Sequence, residues 1–399
     1  MVRLALIYAV VGWIVIEAAD VILPALSVPD WGVSFVVVAV LLGFPVALVL
    51  SWMFESTPEG VRRTTRRSGR GGAALAQGPA ERSVAVLPFV NMSDDKDNEY
   101  FSDGMTEEIL NALAKVPDLR VASRTSAFAF KGQDRDVLDI AEALRVGAVV
   151  EGSVRKAGSR IRVTAQLISA EDGYHLWSES YDRELEDVFQ VQDDISRSIV
   201  DALKVELVGE QAEHLVERET RSMDAYNFYL KGRYFYNRDH EEDLRRSLEM
   251  YREALERDPD YARARAGIAD TWMHLADDWV SPDEAYPQAK KAANEALDLD
   301  DSIAEAHAAL GMVLGWFDWE FNEAELALRR AVAANPRYAD AHWGLATILP
   351  ATGRLPEAVD SIRRAVELDP VSTTFSYYLA RALPAAGRED EARGILTRL

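Results

Sequence analysis

Residues 321–370 read FNEAELALRRAVAANPRYADAHWGLATILPATGRLPEAVDSIRRAVELDP, and this stretch decides the fold of the second half of the chain. Residues 34 apart match within it and beyond it, with small side chains, glycines and prolines recurring at fixed places. Such a period is typical of a solenoid built from helix-turn-helix units. A proline closes each unit because it cannot continue the second helix. The matching positions are Ala324, Ala358 and Ala392; Leu328, Ile362 and Leu396; Ala331 and Ala365; Pro336 and Pro370; Leu345 and Leu379; and Gly353 and Gly387.

The repeats are predicted to occupy residues 211–399 as an all-α superhelical solenoid of about five units. The third unit spans about 304–338, the fourth 339–372, and the fifth runs from 373 to the last residue, near the end of its second helix. This pattern resembles the tetratricopeptide repeat family. The resemblance implies a groove that is lined by the first helix of each unit and binds a polypeptide.

Register within the repeats predicts which side chains face that groove. Aromatic and arginine side chains are typical anchors of protein interfaces. The alternative is that some of these residues only pack the solenoid. His307 and His342 recur at equivalent positions, and repeat packing explains them better than a metal pair does. The predicted groove residues are Met312, Trp343, Thr347, Tyr377 and Arg381.

The amino-terminal 55 residues contain two apolar runs, 4–23 and 34–54. Each run has the length that a helix needs to cross about 30 Å of hydrocarbon. We therefore predict a transmembrane helical hairpin over residues 1–55. A cleaved signal peptide is the alternative, but Glu17 and Asp20 interrupt its cleavage region. The tryptophans suited to anchoring at the membrane interface are Trp13, Trp31 and Trp52.

Residues 56–81 form an arginine- and glycine-rich segment that we predict to be a flexible linker. Positive residues flank membrane spans on the cytoplasmic side. The expected location is therefore the bacterial inner membrane, with two spans and the remaining domains in the cytoplasm. Arginines next to a membrane contact anionic lipid headgroups. The residues predicted to face lipid are Arg62, Arg63, Arg66, Arg67 and Arg70.

Residues 82–210 are predicted to form an α/β domain with a mixed sheet. The run SVAVLPFV at 83–90 is nearly all apolar, as expected of a strand that is buried on both faces. Residues 160–168 alternate polar and apolar side chains, which predicts a strand with one exposed face. The predicted order of elements is β-α-β-α-β-β-β-α.

This segment resembles the TolB amino-terminal-like domain, which is related to the FlgO-type flagellar domain. The stretches that carry the resemblance are SVAVLPFVNMSDD, EYFSDGMTEEIL, VASRTSAF, AVVEGSVRKAG, RIRVTAQLISAEDGYHLWSESYD and FQVQDDIS, within about residues 82–205. Relatives in that family combine this domain with membrane segments and tetratricopeptide repeats. Some carry a winged-helix or nucleotide cyclase domain, and neither is present in the printed sequence.

Composition excludes several classes of function. The formal net charge of −22 disfavours nucleic acid as a partner, because phosphate binding needs a face rich in lysine and arginine. Cysteine is absent, so no disulfide, thiolate nucleophile or cysteine zinc site is available. The sequence contains no phosphate-binding loop or nucleophile-base pair that we can recognise. We therefore expect a protein that is not an enzyme and needs no metal or cofactor.

These observations predict a membrane-anchored scaffold or signalling adaptor that binds a protein or peptide in the repeat groove. Lipid is the second expected partner, through the hairpin and the basic linker, and a homodimer is a further candidate. The alternative is the regulatory or sensor half of a signalling system whose effector, a nucleotide cyclase, kinase or winged-helix regulator, is on another chain. A periplasmic envelope component is a third hypothesis, and the arginine-rich linker counts against it.

Overall fold

The computed structural model describes residues 54–57, 60–63, 80–205, 215–216 and 218–399. The chain divides into two compact units, residues 1–76 and residues 77–399. In the first unit, strand β1 (Phe54–Thr57) pairs with strand β2 (Gly60–Arg63) in antiparallel register. Phe54 lies opposite Arg63, and Thr57 lies opposite Gly60.

The predicted fold class requires a correction at the amino terminus. Within the described ranges, no helix combines the length and the apolar character that crossing a bilayer requires. The helix α8 (Pro282–Leu299) has 18 residues, but charged side chains interrupt it. The described fold is a mixed sheet followed by helical repeats, and a transmembrane hairpin is not part of it.

Several amino-terminal predictions lie outside the described residues. The two predicted spans fall there except for Phe54, which begins β1. Arg62 and Arg63 lie in β2. The inner-membrane location and the lipid contacts stay predictions. The site residues outside the described part of the chain are Trp13, Trp31, Trp52, Arg66, Arg67 and Arg70.

The second unit begins with a mixed sheet. The strands follow the order β5-β3-β6-β7-β8, and β4 pairs with β6 beyond the end of β3. Strand β3 is parallel to β5 and β6, whereas β6, β7 and β8 form an antiparallel meander. The strands are β3 (Ala80–Val86), β4 (Val90–Asn91), β5 (Arg120–Val121), β6 (Val146–Ala157), β7 (Arg160–Ser169) and β8 (His175–Glu184).

Alternating side chains of β3 and the residue that follows it pack against helices on both faces of the sheet. Val84 and Val86 join the core that contains helices α1 and α4. Ala85 and Leu87 join a smaller core with Ile140 of helix α3. This two-sided burial explains the apolar run at 83–90. The helices are α1 (Glu99–Ala114), α2 (Arg124–Phe128), α3 (Val137–Leu144) and α4 (Val188–Ala202).

Residues 223–396 form five successive helix pairs. The recurring alanines are buried where the paired helices cross, with Ala324, Ala358 and Ala392 at most 5% exposed. Gly353 and Gly387, 34 residues apart, adopt positive φ angles of 76° and 72°, a conformation that favours glycine. The pairs are α5 (Met223–Tyr236) with α6 (Glu241–Arg257), α7 (Ala262–Asp278) with α8, α9 (Ala304–Trp316) with α10 (Phe321–Ala334), α11 (Ala339–Ile348) with α12 (Leu355–Leu368), and α13 (Thr373–Ala382) with α14 (Glu389–Leu396).

One hydrophobic core continues from the sheet into the first repeat. The rings of Phe189 on α4 and Tyr226 on α5 have centroids 4.6 Å apart. The buried Gln192 side chain donates a hydrogen bond of 2.7 Å from Nε2 to the Tyr226 hydroxyl. The first repeat therefore packs as an extension of the α/β domain.

The ring of Tyr251 on α6 leaves no room for a side chain at two glycines of the first two repeats. It lies between Gly232 and Gly267, and a Cβ on Gly267 would be 2.4 Å from Tyr251 Cζ. We expect Gly267→Ala to lower the free energy of unfolding by about 1–3 kcal/mol, measured by urea denaturation. Gly394→Ala in α14 is the control, because nothing lies within 4 Å of its added Cβ. Alanine there should be neutral or stabilise by up to about 1 kcal/mol. Equal effects at both positions would contradict the packing argument.

Candidate functional site

The first helices of the repeats, α5, α7, α9, α11 and α13, form what we call the inner face. Helix α7 contacts α5 and α9, and α9 contacts α11. Such a face is the extended binding surface of helical solenoids. We distinguish two parts of this face. In the docked zone, α5 and the start of α7 contact α1. The aromatic zone is formed by Trp316, Trp343, Phe375, Tyr377, Tyr378 and Arg381.

Helix α1 fills the docked zone and is buried along most of its length. Gly104 allows the close approach to α5, since a Cβ there would lie 2.6 Å from Leu230 Cδ2. Glu107 accepts hydrogen bonds from Arg233 Nε at 2.8 Å and from Arg124 Nε at 2.9 Å. Burial raises the pKa of Glu107, but the two guanidinium groups outweigh it and hold the pKa at about 2. The carboxylate is therefore ionised and paired at neutral pH.

A second buried ion cluster lies beside Glu107. Arg263, at the start of α7, contacts Glu108 of α1 and Glu219, with both N–O distances at 2.9 Å. Burial raises the pKa of Glu219 to about 7, and Glu108 adds to the effect while Arg263 opposes it. One guanidinium thus holds two carboxyl groups, and burial favours the protonated form of Glu219. Both ion clusters bind the sheet domain to the first two repeats.

Trp343 is the centre of the aromatic zone. Its ring centroid lies 5.2 Å from that of Trp316, 5.6 Å from Tyr378 and 6.1 Å from Phe375. Trp316 Nε1 donates to Thr347 Oγ1 at 2.9 Å, and that hydroxyl donates to the Gly344 carbonyl at 2.7 Å. Trp343 and Thr347 therefore connect three repeats by packing and hydrogen bonding.

The exposed part of the aromatic zone is a tyrosine-arginine pair. Tyr377 is 47% exposed, and the Arg381 guanidinium lies 5.7 Å from its ring centroid. The same guanidinium lies 5.3 Å from the Tyr378 ring. Such cation-π contacts hold a long side chain in place while its donors stay accessible. This pair is the part of the zone that is free to contact a partner.

The predicted groove residues divide into three kinds. Tyr377 and Arg381 are exposed, whereas Trp343 and Thr347 are half-buried in the packing beneath them. Met312 is only 6% exposed and belongs to the hydrophobic core of the repeats. Register alone could not separate these roles, because all five positions lie on first helices. Trp316 and Tyr378 were not among the predicted residues, and their aromatic character on the first helices was the available signal.

His307 and His342 have equivalent structural roles. Each Nε2 lies 2.9 Å from the carbonyl oxygen six residues earlier, that of Asp301 or Pro336. This agrees with repeat packing as the explanation of their recurrence. Within the described ranges, no three histidine, aspartate or glutamate side chains are grouped to hold a metal ion.

A row of acidic residues lies along the inner face. Asp270, Glu305 and Asp340 lie on α7, α9 and α11, one from each repeat. Burial raises the pKa of Asp270 to about 7; Arg233 opposes this shift, and both Glu305 and Asp340 add to it. The pKa of Asp340 is raised as well, chiefly by burial. Three carboxyl groups from successive repeats are therefore close enough in the interior of the solenoid to affect one another.

Two family models match parts of the chain. Tetratricopeptide repeats match residues 320–373 and 351–399, which confirms the repeat prediction. Residues 80–198 match the second domain of HilA/YgeH-like transcriptional regulators. The resemblance of this segment to the TolB amino-terminal-like domain stays a prediction.

A curated relative extends the comparison. The chain is 40% identical over 252 residues to "Putative adenylate cyclase 3" of Rhizobium meliloti (strain 1021). The match covers 62% of this chain and 43% of the relative. The chain thus matches less than half of that protein's length.

Several solved structures are similar to part of the chain. A MamA protein is 22% identical with a TM-score of 0.32, and the match covers 44% of this chain and 88% of that protein. A tetratricopeptide protein of Thermus thermophilus is 19% identical with a TM-score of 0.37, and the match covers 44% of this chain and 89% of that protein. YrrB, described as having an unusual peptide-binding site, is 24% identical with a TM-score of 0.31. That match covers 44% of this chain and 84% of YrrB. TM-scores this low support no transfer of function.

The Glu107 cluster predicts an acid-dependent loss of stability. Since its pKa is lower in the folded chain than the unfolded value of about 4.3, the contribution is full above that value and is lost as pH falls toward 2. We expect Glu107→Gln to cost about 3 kcal/mol near neutral pH, because it leaves two partly buried arginines without their carboxylate. The deficit should shrink as pH falls from about 4.3 to 2.

Urea denaturation at neutral and acidic pH measures both effects. Glu256→Gln is the matched control, because Glu256 is exposed and its contact with Arg257 is 3.5 Å long. That variant should differ from the parent by less than about 0.5 kcal/mol. A deficit in Glu107→Gln that does not change with pH would refute the assignment of the ion cluster.

Proposed function

We propose that this protein is a protein-interaction scaffold that binds a polypeptide segment at the aromatic zone of its inner face. The tetratricopeptide fold supports a role in protein binding. The observation that carries the proposal is the exposed Tyr377–Arg381 pair on a base of packed aromatic rings. A rigid tyrosine and an arginine with free donors are the side chains that most often dominate an interface.

The two zones divide the inner face between the chain itself and a partner. In the docked zone, α1 already contacts α5, and Glu107 and Glu108 occupy Arg233 and Arg263. In the aromatic zone, Tyr377 is exposed to solvent. The partner segment therefore binds at the fourth and fifth repeats.

The acidic row suggests the charge of the partner. Asp270, Glu305 and Asp340 place three carboxyl groups along the inner face, and the whole chain has a formal charge of −22. Complementary charge accelerates association and selects among partners. We therefore expect the bound segment to carry net positive charge and at least one aromatic or aliphatic side chain that packs on Tyr377.

A display library of unstructured peptides tests this proposal with the full chain. Selected peptides should be enriched in lysine or arginine, and their Kd should rise with salt. Tyr377→Ala and Arg381→Ala should each weaken binding by about tenfold or more, since interface anchors are worth over 1 kcal/mol. Binding is measured by fluorescence anisotropy.

Tyr174→Ala is the matched control for these variants. Tyr174 is another exposed tyrosine, in the turn before β8 of the sheet domain, and its removal should leave the Kd unchanged. Trp343→Ala is a poorer probe, because Trp343 packs against three other rings and its loss disturbs the fold. Unchanged binding in both Tyr377→Ala and Arg381→Ala would remove the aromatic zone as the binding site.

A second candidate function is regulation of a nucleotide cyclase that is present on another chain. The relative named for adenylate cyclase favours it, although the match covers 43% of that protein. This chain would then supply the binding and regulatory part. We expect the purified chain alone, given ATP with Mg²⁺ or Mn²⁺, to form no cyclic AMP above the buffer rate, as measured by mass spectrometry. Turnover proportional to protein concentration would instead make the chain itself catalytic.

A further inference from the structure

A cavity of about 80 Å³ lies between the sheet domain and the fourth repeat. One wall comes from β5 and from the junction of α3 with β6, and the other from Arg337 and the end of α12. Contacts close to it join the two walls. Ser126 Oγ donates to Asp369 Oδ1 at 2.9 Å, and Arg337 Nη2 donates to the Pro117 carbonyl at 3.1 Å. The cavity is therefore bounded by two parts of the chain that are held together beside it.

Its charge is opposite to that of the whole chain. The lining contains four arginines and one glutamate, Glu367, in a chain whose formal charge is −22. Glu367 pairs with only one of the arginines, Arg364, at 3.0 Å. Among the described residues, no ion pair involves the other three. The arginines are Arg120, Arg145, Arg337 and Arg364.

Arg337 has donor capacity that the described residues do not use. Its Nη1 atom is buried and has no hydrogen-bond partner among the described residues. Burial lowers the pKa of Arg337, and the nearby charges of Arg364 and Arg120 lower it further. A buried donor without a partner is unfavourable, so an acceptor bound against Arg337 would be stabilised there.

Arg145 is held in an unusual backbone conformation. It ends α3 with a φ of 55°, in the left-handed region where glycine is usual. Its backbone N–H is bonded to the Ala141 and Glu142 carbonyls, and its side chain lines the cavity. Strain of this kind concentrates at ligand sites. The position therefore places an arginine where local stability would favour glycine.

We propose that this cavity is a binding site for a phosphoryl group, as free phosphate or as part of a small phosphorylated molecule. Guanidinium groups bind phosphate oxygens through paired, charge-assisted hydrogen bonds. The volume admits about five water-sized groups, which suits a phosphate with few further atoms. Arg120 and Arg145 bind it from the sheet domain, and Arg337 and Arg364 bind it from the fourth repeat.

The site reaches beyond the proposed scaffold function, because a bound phosphate links the two parts of the chain. Its residues do not include Tyr377 or Arg381, so phosphate binding and peptide binding can fail independently. Occupancy stabilises the folded chain by mass action, since the unfolded chain has no such site.

Titration calorimetry of the full chain with inorganic phosphate, at neutral pH and constant ionic strength, tests the proposal. We expect saturable binding at one site and a rise in Tm with phosphate. Arg337→Gln and Arg145→Gln should each weaken binding by about tenfold or more. Arg330→Gln is the matched control, because it removes the same charge from an exposed position on α10 outside the cavity. It should leave the Kd unchanged.

Two further arms separate the explanations. Arg145 is exposed, so its substitution keeps the test valid if Arg337→Gln proves to be unfolded by circular dichroism. A nucleoside monophosphate that binds more tightly than phosphate, with the same dependence on Arg145, identifies a phosphorylated molecule as the ligand. Acetate or chloride that raises Tm equally at matched ionic strength, or phosphate binding that both variants retain, would overturn the proposal.

Discussion

The burial of three carboxylates on one helix is the constraint on which the rest of this structure depends. Helix α1 packs against the sheet on one side and the first repeats on the other, and Asp103, Glu107 and Glu108 have little exposure to water. A buried charge is tolerated only when it is paired. Lys131 pairs with Asp103 at 2.6 Å, while Arg124, Arg233 and Arg263 pair with the two glutamates. The cations come from both parts of the chain, so α1 is stable only when the sheet and the repeats are assembled around it.

This assembly changes what the solenoid can do. A helical repeat array normally offers its whole inner face to a partner. Here α1 covers the face at the first repeat, and the hydrophobic core runs from the sheet into α5 through Tyr226. The fourth and fifth repeats retain an exposed aromatic pair. The amino-terminal repeats are thus covered by internal packing, and the later ones keep exposed side chains. The arginine-lined cavity lies at the boundary between the sheet domain and the fourth repeat.

Local pattern and bulk composition do not determine which side chains are exposed or which charges lie together, because both depend on tertiary contacts. Five groove positions followed from one register, yet their exposure differs. Met312 is core, Trp343 and Thr347 are half-buried, and Tyr377 and Arg381 are exposed. The register predicts the direction in which a side chain points from its own helix. Whether that side chain is buried depends on how the next repeat packs against it. In the same way, the acidic composition gave no indication of four arginines around one cavity, since a net charge contains no information about position.

The sequence by itself determined the elements and much of their order. The 34-residue period required helix pairs that cross at Ala324 and Ala358, and alternation in 160–168 required a strand with one exposed face. Both patterns are local, because 3.6-residue and two-residue periods report which side of an element is buried. Only the tertiary structure decided which other elements pack against that buried side. Ser126 bonds Asp369 across 243 positions, and Arg233 reaches Glu107 across 126. No short-range pattern encodes such pairings, because only the packing of the repeats on the sheet domain brings these distant residues together.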